Sequence, residues 1–520
     1  MKVQRALISV SDKTGLSDMV ATLTRLGVKI LSTGGTYKKI AGMGADVEEV
    51  SEYTGFPEMM DGRVKTLHPK VHGGLLGLRD NKSHMEQAAQ AGIDMIDMVV
   101  VNLYPFEKTV SREGVTLEEA IENIDIGGPS MLRSAAKNYR SVAVVSSPGQ
   151  YARVIEELER TGGSLGEETL KELAVEVYRR TSSYDRAIYE YLSGGIQEED
   201  EGPLSDKIDL SLSKAMSLRY GENPHQKASY YSCGKHGGAG FASARQYQGK
   251  ELSFNNIMDL DSALEMVSSF ASAAVSIVKH NNPCGLATSG TLPEAFIQAL
   301  DCDRMSAFGS IMGFNGKIDR ELAEMIIKEA GFFECVVAPD YGEDALEVFS
   351  SKKNLRVLKK ALAPYRDRAS KDYKKVTGGF LVQDKDNVEI SKKDLDAVTE
   401  KKPGPGQIES MLFAWKAVGF VKSNAIVLSQ GTKTVGIGAG QMSRVDSVVI
   451  AIRKAAGRAK GAVLASDAFF PMADSVEEAH KAGISAIIQP GGSIRDKEVI
   501  DACNRLGIPM VFTGKRHFRH

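Results

Sequence analysis

The chain has 520 residues, too many for a single hydrophobic core, so two to four domains are expected. Hydrophobic residues make up 42% and charged residues 25%, as in an ordinary soluble globular protein, and a formal net charge of -2 gives no reason to expect a nucleic-acid partner. The longest apolar runs, such as "MVVV" at 98–101, are far shorter than the roughly 20 residues that cross a bilayer, so no membrane span is predicted.

The first part of the chain alternates strand and helix patterns. The predicted strands are "RALISV", "VKILS", "DMVVVNLY" and "SVAVVS", with helical patterns between them. This alternation predicts a largely parallel sheet covered by helices, with ligands bound beyond the carboxyl ends of the strands. The N-terminus has the pattern of a first strand instead of the apolar core of a signal peptide, so a cytoplasmic location is expected.

Two loops after successive strands have the composition of a phosphate cradle. The first, "SVSDKTG", contains Ser11 and Lys13, and the second, "STGGT", consists of Ser32, Thr33, Gly34, Gly35 and Thr36. Glycines let the backbone approach a ligand, and the start of a helix supplies free N–H groups. Either loop alone would be read as an ordinary helix cap, but two of them favour phosphate binding. Neither loop is a Walker motif.

A third loop, "GRVKTLHPKVHGG" at 62–74, is cationic and contains Arg63 and Lys65. His68 and His72 have the spacing of a helical metal pair, but Pro69 and the paired glycines make a regular helix improbable. A cationic loop that faces an anionic substrate is the favoured interpretation.

Three further residues of this part, Tyr104, Asp125 and Lys137, allow two interpretations. Tyr104 ends an apolar strand and would cap the core, and Lys137 would be an ordinary surface lysine. Together with Asp125, which precedes two glycines, they could instead handle protons and developing negative charge in a dehydration.

A helical pattern at 167–192 is followed by "SGGIQEEDEGPLSDK", the best linker candidate, which predicts a domain boundary near 195–206. The rest of the chain is long enough for two further units. "AAVSIVKHNNPCG" and "GAVLASDAFFPMAD" share one pattern, a strand and a turn that opens a helix, which suggests two related α/β subdomains. The charged span at 351–375 is interpreted as a solvated connection.

The stretch "VKHNNPCG" admits three kinds of chemistry: a zinc site, a Cys nucleophile, or a His base beside a Lys. Zinc deaminases carry Pro-Cys-x-x-Cys, and Ala287 stands where the second Cys would be. The five cysteines are widely spaced, and Cys284 is more simply a buried thiol that follows a turn at Pro283. This leaves His280 as a base and Lys279 as a fixed positive charge.

The chain resembles the family of bifunctional purine biosynthesis enzymes that combine phosphoribosylaminoimidazolecarboxamide (AICAR) formyltransferase with IMP cyclohydrolase. The resemblance rests on the motifs quoted above and on "DIGGPSMLRSAAKN", "LRYGENPHQ", "DRMSAFGS", "IGIGAGQMSRVDS" and "SDAFFPMADS", in this order over essentially the whole chain. It implies an α/β protein. A methylglyoxal-synthase-like parallel-sheet domain at 1–197 would carry the cyclohydrolase, and a region at 198–520 of two cytidine-deaminase-like subdomains, divided near 360–405, would carry the formyltransferase.

The resemblance also implies the reactions and the residues of the second region. A formyl group would pass from the co-substrate 10-formyltetrahydrofolate to AICAR, with His280 as proton acceptor and Lys279 stabilising the tetrahedral intermediate or the leaving folate nitrogen. The implied substrate-binding residues of this region are Arg219, Tyr220, His225, Asn256, Phe308, Glu334, Asn424, Arg444, Phe469 and Arg516.

In the first region, formyl-AICAR would close to IMP with loss of water. The implied phosphate and ribose contacts are Ser11, Lys13, Ser32, Thr33, Gly34, Gly35, Thr36, Arg63 and Lys65, and the implied catalytic residues are Lys65, Tyr104, Asp125 and Lys137. The family implies a homodimer with a shared formyltransferase site, no metal at the catalytic sites, and no redox cofactor, nucleic acid or membrane. It leaves open a structural monovalent cation in the C-terminal half.

Two rival functions remain at this point. A nucleotide-sensing protein would use the same loops for binding without turnover. A methylglyoxal-synthase-like lyase would explain only the N-terminal part and would leave "VKHNNPCG" without a role.

Overall fold

A computed structural model describes residues 1–112, 114–193, 204, 208, 210, 212–233, 240–366 and 371–520. The chain forms two compact units, Met1–Asp206 and Lys207–His520. The boundary predicted between 197 and 198 lies outside the described residues, as does most of the predicted linker. No helix in the described part of the chain is both long and apolar enough to span a bilayer.

The first unit is built on a parallel sheet. Its described strands are β1 (Arg5–Val10), β2 (Lys29–Ser32), β3 (Val47–Glu49), β4 (Met98–Asn102) and β5 (Ala143–Val145), in the order β3-β2-β1-β4-β5 with every pair parallel. The three central strands β1, β4 and β5 are mostly apolar because helices cover both faces of such a sheet, and Ala6, Leu7 and Ile8 of β1 are fully buried.

The described helices of the first unit lie between successive strands, except for the last two, which follow β5. They are α1 (Leu16–Arg25), α2 (Gly34–Ala41), α3 (Val50–Thr54), α4 (Pro69–Leu76), α5 (Lys82–Gln90), α6 (Phe106–Val110), α7 (Leu117–Glu122), α8 (Gly127–Lys137), α9 (Tyr151–Thr161) and α10 (Glu167–Ser193). The expectation that "HPKVHGG" forms no regular helix is wrong. Pro69 occupies the first position of α4, where its missing N–H costs nothing, and His68 caps the helix by accepting from the Lys70 N–H at 3.2 Å.

The second unit contains a larger sheet whose described residues form twelve strands. Its first half consists of β8 (Arg245–Gln248), α11 (Phe254–Ser268), β9 (Ala273–Lys279), β10 (Asn282–Ser289), α12 (Leu292–Leu300), β11 (Ser310–Phe314), α13 (Arg320–Glu329), β12 (Phe333–Ala338), α14 (Glu343–Ser350) and β13 (Arg356–Lys359). A separate hairpin, β6 (Leu212–Leu218) and β7 (Ala228–Cys233), precedes it.

The second half repeats the same succession of elements. After the hairpin β14 (Lys371–Val376) and β15 (Gly379–Asp384) it contains β16 (Asp396–Ala397), α15 (Pro405–Val418), β17 (Ile426–Gln430), β18 (Lys433–Gly438), α16 (Arg444–Ala455), β19 (Val463–Ser466), α17 (Asp474–Lys481), β20 (Ala486–Gln489), α18 (Asp496–Leu506) and β21 (Met510–Phe512).

The two halves are joined through their middle strands into a continuous sheet. The strand order is β16-β21-β20-β19-β17-β18-β10-β9-β11-β12-β13-β8, so β10-β9-β11-β12-β13 matches β18-β17-β19-β20-β21 when each half is followed outward from the β10–β18 pair. That central pair is antiparallel. Helices α11 and α15 share one buried core, and the remaining helices of each half pack on the other face. The predicted fold class, a parallel-sheet domain followed by two related α/β subdomains, is confirmed.

Two local predictions about the second unit are wrong. Pro283, Cys284 and Gly285 lie inside strand β10, so "VKHNNPCG" continues as a hairpin and does not open a helix. The span at 351–375 is not simply a solvated connection, because it contains β13, in which Val357 and Leu358 are fully buried. The predicted subdomain division near 360–405 stays a prediction.

Candidate active sites

The loop that follows β1 is held by an asparagine at the end of β4. The Oδ1 atom of Asn102 accepts hydrogen bonds from the Ser11 N–H at 2.6 Å, the Ser11 hydroxyl at 2.7 Å and the Asp12 N–H at 2.9 Å. Lys13 is exposed in the same loop. Since β1 and β4 are adjacent and parallel, this loop lies at the carboxyl edge of the sheet.

The loop that follows β2 lies at the same edge. The hydroxyl of Ser32 donates to the Ile8 carbonyl at 2.7 Å, and that of Thr36 donates to the Val10 carbonyl at 3.0 Å, so both hydroxyls fix the loop against β1. Thr33, Gly34 and Gly35 begin α2, where first-turn N–H groups lack partners within the helix. The backbone of this loop is therefore the part suited to an anion.

The cationic loop brings Lys65 to this backbone. A Cβ added at Gly34 would lie 3.7 Å from the Nζ atom of Lys65. Lys65 is paired with Glu58 at 2.8 Å, and Arg63 is paired with Glu122. A phosphate bound here would compete with both carboxylates for these cations.

The start of α8 joins the same edge and carries Asp125. The Gly128 N–H donates to Oδ1 of Asp125 at 2.8 Å, and the Asp125 N–H donates to the Tyr184 hydroxyl at 2.8 Å. Burial raises the pKa of Asp125, while the N–H groups of Gly128 and Tyr104 act in the opposite direction. A Cβ at Gly127 would lie 2.8 Å from Oγ1 of Thr66, so the cationic loop also reaches α8. Tyr104 is 55% exposed beside this carboxylate.

Lys137 is not brought to this edge. It is the last residue of α8 and is exposed. At 1.5 Å per residue, the helix axis separates it from Gly127 by about 15 Å. The structure therefore assembles Ser11, the Thr33–Thr36 loop, Lys65, Tyr104 and Asp125, and leaves Lys137 at the opposite end of the helix.

In the second unit, Lys279 and His280 lie at the tight turn between β9 and β10. Lys279 pairs with Asn282, and His280 and Asn281 form the two-residue connection with φ of 55° and 58°. The Nζ atom of Lys279 donates to the Phe308 carbonyl at 2.7 Å. The His280 side chain is exposed, so the turn presents an imidazole beside a fixed ammonium group.

Predicted substrate residues of the first half surround this turn. The Nδ2 atom of Asn256, at the start of α11, donates to Oε2 of Glu334 at 3.1 Å, and Glu334 begins β12 at the same edge as Lys279. The Tyr220 carbonyl accepts the Phe254 N–H at 3.2 Å, which places Tyr220 beside α11, and the Arg219 guanidinium lies 5.4 Å from the centre of the Tyr220 ring.

Phe308 and His225 have exposed side chains. The ring of Phe308 is 62% exposed and lies 5.3 Å from the ring of Phe332. His225 lies in a short loop that is closed by the hydrogen bond from the Gly221 N–H to the Gln226 carbonyl at 2.8 Å.

The second half contains another cluster of predicted residues. Arg444 is buried; it forms an ion pair with Asp467 and donates to Asn424 at 2.6 Å. Both of its terminal nitrogens donate within the protein, so Arg444 orients Asn424. Phe469 follows β19 and is 37% exposed, and the exposed Arg516 lies over the ring of Phe518 at 4.3 Å.

The two clusters lie along the same edge of the large sheet. Strands β10 and β18 separate β9, which carries Lys279, from β17, which Asn424 precedes. Three strand spacings amount to about 14 Å. The backbone near the turn does touch the second half, because the Lys422 N–H donates to Oδ1 of Asn282 at 3.0 Å.

Cys284 is buried, as the sequence predicts, and burial raises the pKa of its thiol to about 12. Within the described ranges, the structure places no group of three or more His, Cys, Asp or Glu side chains where they could hold a metal ion.

Sequence reasoning missed several residues that hold these sites together, chiefly Asn102, Asp259 and Asp467. Asn102 is the first polar residue after the apolar run of the predicted strand "DMVVVNLY", and that position was a usable signal. Asp259 accepts the Asn281 N–H from helix α11, and Asp467 accepts the Ala425 N–H from the end of β19. No spacing in the sequence reveals either contact.

The profile of the AICARFT/IMPCHase bienzyme family matches residues 135–454. The chain belongs to this bienzyme family. A profile of MGS-like domains matches residues 15–130, in agreement with the parallel sheet of the first unit.

Proteins of this family match the present chain from end to end. The bifunctional purine biosynthesis protein PurH of Magnetococcus marinus is 53% identical, with 100% of both chains covered, and the PurH proteins of Acetivibrio thermocellus and Bacillus subtilis are 50% and 48% identical with the same coverage. Among solved structures, the crystal structure of ForH is 34% identical over 38% of this chain and 100% of its own, with a TM-score of 0.35. The predicted combination of AICAR formyltransferase and IMP cyclohydrolase activities is confirmed.

Proposed function

We propose that the second unit transfers the formyl group of 10-formyltetrahydrofolate to the amine of AICAR, and that the first unit closes the product, formyl-AICAR, to IMP. The observation that carries the proposal is the turn of the second unit, which presents His280 beside Lys279 among residues suited to a nucleotide. Family membership supports both reactions and the co-substrate.

In the transfer, His280 accepts the proton that the amine of AICAR loses as its nitrogen bonds to the formyl carbon. This amine is conjugated with the imidazole ring and is a poor nucleophile, so removal of its proton matters. The ammonium group of Lys279, held by the Phe308 carbonyl at 2.7 Å, stabilises the negative charge of the tetrahedral intermediate. The carbon–nitrogen bond to the folate then breaks, the leaving nitrogen takes up the proton that His280 accepted, and tetrahydrofolate leaves.

Around this turn, Arg219, Tyr220 and Asn256 bind AICAR, while Glu334 orients the amide of Asn256. Phe308 offers an exposed ring for stacking. Asn424, Arg444, Phe469 and Arg516 complete the site from the second half, and His225 supports it from the neighbouring loop.

In the first unit, the nucleotide phosphate binds the backbone of the loops at Ser11 and at Thr33–Thr36, with Lys13, Arg63 and Lys65 as cations. Asp125 and Tyr104 lie where the ring closes. Asp125 accepts N–H groups and orients the substrate, and Tyr104 stabilises developing charge. A catalytic role for Lys137 stays a prediction, and its position at the far end of α8 offers no contact that supports it.

Assembly, location and ion binding are parts of the same proposal. We infer a homodimer in which the second copy supplies the Asn424 cluster, because the family implies a shared site and because three strand spacings, about 14 Å, lie between β9 and β17 within a chain. A cytoplasmic location agrees with five cysteines that are all free. A structural monovalent cation in the C-terminal half stays a prediction.

His280→Ala tests the proposal directly. Loss of the base should lower formyl transfer by about 100 to 10,000-fold, because general-base catalysis supplies factors of this size. The rate is followed by the absorbance of tetrahydrofolate formed from AICAR and 10-formyltetrahydrofolate. Cyclisation of added formyl-AICAR should stay at the wild-type rate. Transfer at a near wild-type rate would contradict the role of His280, and binding without turnover in the wild-type protein would favour the nucleotide-sensing alternative.

A further inference from the structure

We propose that Asp259 is a positioning residue for formyl transfer, which sets the place of the Lys279–His280 pair by fixing the backbone of the turn between β9 and β10. The inference rests on the proposed role of His280. It assigns a function to a carboxylate that binds no substrate in the mechanism above.

The turn needs an external support because of its backbone conformation. His280 and Asn281 both have positive φ, at 55° and 58°. Two-residue hairpins favour this conformation because it matches the twist of the strands, but glycine or asparagine usually supplies it. A histidine pays a steric cost in the left-handed region, so the surrounding structure must hold it there.

Asp259 supplies this support through both of its oxygens. Oδ2 accepts the His280 N–H at 3.1 Å, and Oδ1 accepts the Asn281 N–H at 2.6 Å. Hydrogen bonds to a carboxylate are stronger than neutral ones, and two of them fix the orientation of the turn as well as its position. Asp259 lies in the second turn of α11, a helix whose start carries Asn256, so the base and a substrate residue are fixed to the same element.

The side chain of Asn281 strengthens the same connection. Assigned from its hydrogen-bonding neighbours, the amide nitrogen faces α11, with acceptors at the Met258 carbonyl, 3.0 Å away, and at Oδ1 of Asp259, 3.2 Å away. The turn is thus tied to α11 by backbone and side chain, while the His280 imidazole remains exposed.

Asp259→Asn is the first test. The amide keeps the shape of the side chain, but its NH2 group faces a backbone N–H and cannot accept from it. We expect kcat for formyl transfer to fall by about 100-fold, since a displacement near 1 Å of a catalytic group can cost that much. The Kd for AICAR, measured by calorimetry, should stay within about 3-fold of wild type, as expected for a residue that positions the base.

The split between kcat and Kd is the readout that a merely structural role would not give, because partial unfolding of the site would weaken AICAR binding as well. Asp261→Asn is the matched control, because Asp261 lies on the same helix but accepts from the Tyr365 hydroxyl, and its kcat should match wild type.

Wild-type kcat in folded Asp259→Asn would overturn the proposal, as would a Kd for AICAR that rises in proportion to the loss of kcat. If Asp259→Asn does not fold, Asp259→Glu is measured, which keeps the charge but moves it by one methylene. Unchanged kcat in that variant would also overturn the proposal. Full transfer activity in His280→Ala would instead refute the proposed function, so the two failures are distinguishable.

Discussion

His72 shows how a residue that resembles a ligand in the sequence can serve packing instead. Its spacing from His68 is that of a metal pair, but in the structure His68 caps α4 and His72 faces α8, with Nδ1 at 3.0 Å from the Ser134 hydroxyl. Burial lowers the pKa of His72. The residue is therefore a neutral group at a helix contact, and its charge state connects pH to the stability of the first unit.

The sign of this effect follows from linkage. The pKa of His72 is about 6.5 in the unfolded chain and lower in the folded one, so protons favour the unfolded chain. The free energy of unfolding should fall as the pH drops through 6.5 toward the folded value, by less than about 1.4 kcal/mol per pH unit, the limit for one proton. The denaturant concentration at which α4 opens is measured by hydrogen exchange at pH 7.5 and at pH 5.5. The difference between the two midpoints gives this loss.

His72→Gln should reduce the difference between the two midpoints, because glutamine does not titrate. The matched control is His480→Gln, an exposed histidine of the second unit, which should leave the difference unchanged. An equal pH dependence in His72→Gln and in wild type would refute this explanation.

At the scale of elements, glycines allow helices to lie against the hairpin strands. A Cβ added at Gly285 of β10 would lie 1.8 Å from the Ala299 carbonyl of α12, and one at Gly438 of β18 would lie 2.0 Å from the Ser447 carbonyl of α16. Each half of the large sheet thus uses a glycine at the same kind of contact. The glycine of "NPCG" serves helix packing, although the sequence suggested a turn.

Gly285→Ala should destabilise the second unit by about 3 kcal/mol or more, because its methyl group meets backbone and not a movable side chain. The denaturant midpoint of the second unit measures this loss. Gly457→Ala provides the comparison, since a Cβ there has no described atom within 4 Å, and it should unfold close to the wild-type midpoint. Similar midpoints for the two variants would show that β10 and α12 can separate without cost.

The element scale also shows where sequence reasoning succeeded and failed. Apolar runs predicted β1, β2 and β4 and the edge at which the loops after β1 and β2 lie, because the alternating order of a parallel sheet is a local pattern. The hairpin at His280 was missed because two non-glycine residues adopt positive φ there, supported by Asp259 from another element. Local propensity cannot reveal a conformation that distant contacts impose.

At the scale of the whole molecule, the separation of the implied substrate residues across the large sheet decides whether one chain or two chains form a formyltransferase site. The Lys279 turn and the Arg516 cluster belong to different halves, although both are implied for one substrate. The family resemblance predicted both sets of residues but not their separation, because the spacing of residues in the chain does not determine the distance between strands in a mixed sheet.

A shared site predicts complementation between two inactive variants. His280→Ala and Arg516→Ala are each expected to lose formyl transfer. After mixing and random reassociation, half of the dimers contain both variants, and each of these has one intact site, so about a quarter of the wild-type rate should return. Mass spectrometry of the intact dimers verifies the exchange of chains. No recovery in verified mixed dimers would show that each site is built within one chain.

The antiparallel pair at the centre of the large sheet has a consequence for how catalysis is distributed. A twofold rotation that exchanges β10 and β18 also reverses the direction of every strand. The turn at His280 and its counterpart at Gly431–Thr432 therefore lie at opposite edges of the sheet. Repetition of the fold therefore does not repeat the chemistry. The edge that presents Lys279 and His280 also carries the strand ends of the other half, and the edge at Gly431–Thr432 has no such pair in its turn.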